Sequence, residues 1–162
     1  MTTVRVRTRL ACVVGAMALL FPFAPTLAAR GDDHNRPVEF TFAKWFVSAT
    51  AMAGYWGGDL DNKYTGELLQ RQATANPAVN AVARLEAVYE FHHGDDFFTA
   101  LIRGGSNGVT GKAYLDGVVL AGWRTGAKVH VVFDRIATGC VGAPAGIACF
   151  VGTVRVGRAP RN

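Results

Sequence analysis

The stretch VARLEAVYEFHHGDDFFTALIRG, Val82 to Gly104, decides the fold. Leu85, Ala87, Tyr89 and Phe91 alternate with Arg84, Glu86, Glu90 and His92, a period of two that belongs to a strand with one face buried. HHGDD then supplies a turn, and FFTALIRG returns as a second apolar run, so the segment is a β-hairpin.

The same grammar repeats on both sides. Downstream, GSNGVTG leads into KAYLDGVVL, a second hairpin. AKVHVVFDRI follows, with Val129, Val131 and Phe133 alternating with His130, Val132 and Asp134, and CFVGTVRVG closes the series. Upstream, VEFTFAKWFV sets Phe40, Phe42 and Phe46 on one face and Thr41, Ala43, Trp45 and Val47 on the other. Both faces are thus partly apolar, as in a central or ligand-lining strand. SATAMAGYW extends to the Gly57-Gly58 break, and KYTGELLQRQ, Lys63 to Gln72, adds a further strand. ATANPAVNA is a loop, because Asn76 precedes Pro77. The expectation is an all-β chain, an antiparallel barrel of seven or eight strands in mostly meander order. A sandwich is the other way to bury the sheet edges.

The chain opens as an export signal. Arg5, Arg7 and Arg9 precede an apolar run from Leu10 to Phe23, and APTLAA offers small residues for cleavage near Ala28 or Ala29. Residues 1–29 are therefore read as a signal peptide, 30–37 as a flexible segment, 38–157 as one barrel domain and 158–162 as a flexible basic tail. Secretion or a periplasmic location follows, with no membrane insertion after cleavage. An outer-membrane barrel is the rival, but Arg84, Glu86 and Glu90 on one strand face argue against a lipid-facing band. Losing three of 17 basic residues leaves 14 against 12 acidic ones, a net charge of +2. That scattered balance gives no case for nucleic-acid binding. The oligomeric state is open.

Cys12 leaves with the signal, and Cys140 and Cys149 remain around a Gly-, Ala- and Pro-rich turn. Neither a four-ligand zinc pattern nor a Cys-x-x-Cys redox motif is present, so the pair reads as a disulfide staple between the last two strands. Closing a loop of about ten residues contributes about 2 to 3 kcal/mol on the chain-entropy account.

No motif fixes a reaction. GGSNGVTGK departs from a phosphate-binding loop, since Ala113 stands where Ser or Thr is needed. DLDN, Asp59 to Asn62, begins like a calcium loop but lacks its glycine and closing glutamate, and HHGDD has no second ligand cluster. Neither a metal nor any other cofactor is expected. The acid and base candidates lie on strands: Glu39, Glu67, Glu86, Asp116, His130 and Asp134. One of these inside the barrel could serve a proton transfer. Phe40, Phe42, Trp45, Tyr89 and Phe133 are the candidate contacts for a small apolar or phenolic ligand.

Taken in order, GYWGGDLDNKYTGELL, LEAVYEFHHGDDFFTALIRG, TGKAYLDGVVLAGWRTGAKVHVVF and the Cys-bounded CFVGTVRV resemble small exported bacterial proteins grouped with the allene oxide cyclase-like barrels, themselves similar to plant dirigent proteins. The resemblance implies an eight-stranded antiparallel barrel. In the plant relatives such a barrel binds an apolar or phenolic intermediate and guides its cyclisation or coupling. No catalytic motif of those families matches here residue by residue. The resulting expectation is a ligand-binding barrel, with a cofactor-free isomerase or cyclase in the same cavity, or a structural protein without a cavity, as alternatives.

Overall fold

A computed structural model of the chain describes residues 36–73, 81–137 and 139–160. Residues 1–29, read above as a signal peptide, and most of the ATANPAVNA loop lie outside the described residues. Eight strands form one closed antiparallel barrel in the order β1 to β8: β1 Val38–Phe46, β2 Ala51–Trp56, β3 Asp59–Ala73, β4 Val82–His93, β5 Asp96–Asn107, β6 Lys112–Gly122, β7 Lys128–Ile136 and β8 Cys149–Val156. β1 closes on β8, with Phe42 opposite Gly152 and Trp45 opposite Cys149. Closure gives each of the eight described strands a neighbour on both sides. The meander order of a barrel is the one expected from the run of short turns.

Local chemistry sets the turns. Gly57 and Gly58 both take positive φ, 66° and 77°, and so join β2 to β3 through the two-residue turn whose twist suits a hairpin. DLDN is therefore the start of β3, with Trp56 opposite Asp59, rather than a calcium loop. Ser48 caps the β1–β2 turn by accepting the Ala51 amide at 2.9 Å.

Glycines inside the wall let it coil tightly. A Cβ on Gly152 would stand 1.9 Å from the Val132 carbonyl oxygen, and one on Gly104 2.1 Å from that of Tyr114. An eight-stranded barrel has a narrow interior filled by side chains, and strands this close at a bend leave no room for a side chain.

Along β4 the inward residues are Leu85, Ala87, Tyr89 and Phe91, as the alternation predicts, and they meet Phe42, Ile102, Leu115, Val131 and Val154 in one core. Towards one end the barrel is solid. Phe40 packs on Trp56 at 4.9 Å and on Phe91 at 5.2 Å between ring centroids, and Phe91 stacks on Phe98 at 4.8 Å. Buried Arg124, in left-handed conformation with φ of 58°, closes that end by donating to the carbonyls of Val156 at 3.3 Å and Gly157 at 2.8 Å. The other end is not filled.

The cysteines lie at disulfide distance, Cα–Cα 6.0 Å. The link differs from the expected one. Cys149 begins β8, but Cys140 lies beyond the end of β7, so the pair pins the β7–β8 loop to β8 instead of joining two strands. Trp45 points outward beneath that loop, which accounts for a buried tryptophan on the outside of the wall; a Cβ placed on Gly142 would stand 3.6 Å from its ring.

Candidate functional site

β1 carries a lysine in an unexpected position. Phe40, Phe42 and Phe46 face inward, and Lys44 shares their parity, so its side chain also enters the barrel. Only 2% of it is exposed. Its Nζ hydrogen-bonds the Tyr89 hydroxyl of β4 and sits 4.0 Å from the centroid of the Tyr89 ring and 4.3 Å from that of Phe133. Phe42 and Tyr64 add rings at 5.5 and 5.9 Å.

Burial in this cage pushes the Lys44 amine well below the ordinary lysine value. The magnitudes support that direction. Ring faces return about 0.5 to 2 kcal/mol to a cation, whereas stripping a charge of water costs several kcal/mol when no counter-ion repays it. Burial likewise pushes the Tyr64 phenol well above its usual value. The Tyr64 hydroxyl has no hydrogen-bond partner among the described residues.

Above Lys44 the barrel opens into a cavity of 380 Å³. Its walls are Phe46, Met52, Leu68, Leu85, Leu115 and Phe150, with Tyr89 and Phe133 beside the amine. Polar groups are few: Ser106 and Asn107 from the end of β5, then Arg71 and Arg135. Arg135 follows the inward parity of β7. Arg71 arrives by another route. The register of β3 shifts between Leu68, opposite Ala87, and Gln70, opposite Glu86, so one extra residue inverts the alternation and brings Arg71 opposite inward Leu85. The cavity thus has one buried amine below, two guanidinium groups that are largely exposed above, and, among the described residues, no Asp, Glu or His in its lining.

The sequence candidates separate cleanly. Tyr89 and Phe133 line the cavity; Phe42 lies in the core against Lys44, and Phe40 lies deeper in the solid end. Trp45 is on the outer face and does not belong to the cavity. Glu39, Glu67, Glu86, Asp116, His130 and Asp134 all take the outward parity, which corrects the expectation that one of them faces the interior. Several pair across the outer surface: Glu86 with Arg103 at 2.9 Å, Asp116 with His130 at 2.8 Å, and Asp134 with Lys112 at 3.3 Å. In the HHGDD turn, His92 approaches Glu90 at 3.6 Å and His93 contacts Asn62 at 2.5 Å. Among the described residues no three His, Cys, Asp or Glu side chains are grouped to hold a metal ion.

The residues that sequence reasoning passed over are Lys44, Arg71 and Arg135. For Lys44 the signal was present: a lysine at the parity of three phenylalanines.

Comparison with protein-family models, curated proteins and solved structures finds no match for this chain. The architecture and the cavity therefore define its class, an eight-stranded antiparallel meander barrel that is solid at one end and hollow at the other.

Proposed function

We propose that the protein is an exported binding barrel for a small ligand with an apolar or phenolic body. The observation that carries this reading is the one-ended cavity with Lys44 at its base. A folded protein gains nothing in stability from an unneutralised buried amine, and an apolar residue of similar volume would be neutral or better. A ligand whose polar end meets Lys44 and Tyr89 while its body meets Phe46, Leu85, Leu115 and Phe150 gives the amine a use. The size agrees, since small-molecule cavities run from about 300 to 1,000 Å³. Arg71 and Arg135 favour ligands with an electron-rich or anionic polar group.

Export is part of the proposal. It rests on the signal-like Met1–Ala29 segment and on a cysteine pair at disulfide distance, which suits an oxidising compartment. Kinship with the allene oxide cyclase-like barrels stands in the same way, on the eight-stranded meander that the resemblance implies. If the interior performs a cyclisation or isomerisation, the acid and base work falls to Lys44 and Tyr89, because the carboxylates and His130 are outside.

Native mass spectrometry of the protein purified from its own host tests the proposal. A stoichiometric small molecule, released on denaturation, is the expected result. Protein that carries none and also fails to take up 1-naphthol in calorimetry contradicts it.

A further inference from the structure

Lys44 is one of four lysines in the chain; Lys63, Lys112 and Lys128 are exposed. Binding alone does not account for it. A hydroxyl or amide could receive the polar end of a ligand without the cost of a buried amine. What a buried amine adds is nucleophilicity, because a lysine kept from water and from carboxylates offers a lone pair that a solvated ammonium does not. Three observations meet here: the amine lines a cavity open at one end, a phenol hydroxyl is hydrogen-bonded to it, and among the described residues no carboxylate lines the space around it.

We propose that Lys44 captures the carbonyl group of an apolar aldehyde or ketone as a reversible imine, with Tyr89 moving the proton. The inference rests on the binding reading above and names the polar group of the ligand. The Nζ lone pair forms a bond to the carbonyl carbon as the π pair moves to oxygen. Tyr89 gives its proton to that oxygen and regains one from the nitrogen, leaving a neutral carbinolamine. Loss of the hydroxyl with the remaining amine proton releases water and leaves a carbon–nitrogen double bond. One carbonyl compound and one amine become one imine and one water, with no oxidant, reductant or metal. The apolar walls favour the step by limiting the water that would reverse it, and the cavity holds the carbonyl next to the amine.

The partner phenol fits the role by geometry. Tyr89 is 2% exposed and projects from β4 towards β1, so its hydroxyl has Lys44 as its hydrogen-bond partner. Tyr64, its neighbour at 5.1 Å between centroids, packs against it as a wall.

Trans-cinnamaldehyde with sodium cyanoborohydride is the test, applied to the exported protein at neutral pH and read by peptide mass spectrometry. Hydride from the reagent fixes any imine as a secondary amine, adding the aldehyde less one oxygen and no more. The expected result is a single adduct at Lys44, formed at least about tenfold faster than on the exposed lysines, because the cavity concentrates the aldehyde beside the amine. Tyr89→Phe should slow that labelling about tenfold or more with the far-ultraviolet spectrum unchanged, since a positioned proton donor is lost. Lys44→Met should abolish it. Calorimetry with 1-naphthol, which has no carbonyl, runs alongside. Naphthol bound with Lys44 labelled no faster than the exposed lysines overturns the imine and leaves the binding reading standing. No naphthol bound and no selective label overturns both.

Discussion

The Lys44 Nζ and the Tyr89 hydroxyl hydrogen-bond across the barrel, from β1 to β4, with neither side chain more than 2% exposed. The contact links the solid half of the barrel to its hollow half, since Phe42 lies below it and the cavity opens above. It also puts a titratable group where its ionisation must be felt by the whole fold.

Stability should therefore depend on pH through Lys44. Burial lowers its folded-state pKa, so below the ordinary lysine value the unfolded chain takes up a proton that the folded one refuses. Folding stability then falls as pH falls through the window between 10.5 and the lowered value, by up to about 1.4 kcal/mol per pH unit, and levels off below it. Tyr64 acts oppositely at the alkaline end: its raised pKa keeps the folded phenol protonated while the unfolded one ionises, so stability drops above pH 10. Arg71 and Arg135 are the other cationic side chains of the cavity. Denaturant titrations of wild type and Lys44→Met from pH 7 to pH 10 should show a rise that the variant lacks. At pH 7 the variant should be the more stable of the two, because it loses the cost of keeping the buried amine from its proton. A variant less stable than wild type, with a parallel pH profile, contradicts the account of a neutral buried amine.

Gly152→Ala should cost several kcal/mol, at the upper end of single-residue effects, because the new Cβ meets the Val132 backbone at 1.9 Å and neither strand can yield in a closed barrel. Gly105→Ala, on β5, is the control. Its nearest new contact is the Val82 side chain at 3.5 Å, so it should cost about 1 kcal/mol or less. Melting temperatures of the two variants check this, and equal losses would count against the tight coil.

Arg71 and Arg135 should tune selectivity more than affinity. Replacing either by Ser should weaken 1-naphthoic acid relative to 1-naphthol by about twofold to fivefold, the scale of an exposed charge interaction, and added salt should erase the difference. Calorimetry of both ligands against both variants measures it. No change in the ratio would remove the two guanidinium groups from the site.

Reduction of the cysteine pair should leave the barrel intact. Cys140 and Cys149 pin a loop to β8 while β1 already holds β8 through eight paired residues. Replacing both by Ser should cost about 2 to 3 kcal/mol and keep the far-ultraviolet spectrum. Exposure of Trp45 beneath the freed loop should shift its fluorescence to the red. Before reduction, neither Cys140 nor Cys149 should be alkylated in the folded protein.

The fold was legible because β4, β5 and β7 alternate cleanly and turn residues separate them, as with Tyr89 and Phe91 against Glu90 and His92. The site was legible only in part. Alternation names two faces without saying which is inside, so Glu39, Asp116 and His130 stood as interior candidates until closure turned their faces outward. Lys44 was readable from its parity with Phe40, Phe42 and Phe46, but a lysine is ordinarily solvated, and that expectation hid it. Arg71 was not readable at all. Its inward aim depends on the extra residue between Leu68 and Gln70, and a bulge inverts parity with no mark in the composition. Trp45 was misplaced for a related reason, since its burial comes from the Cys-bounded loop on the outside.

Mapping of backbone amide shifts by NMR during a titration with 1-naphthol tests the central claim most directly. The account predicts saturable shifts confined to the hollow half, at Lys44, Leu85, Tyr89, Leu115 and Phe133, with Val129 and Val156 of the solid core undisturbed. Shifts spread over the outer face, or none at any concentration, would contradict it.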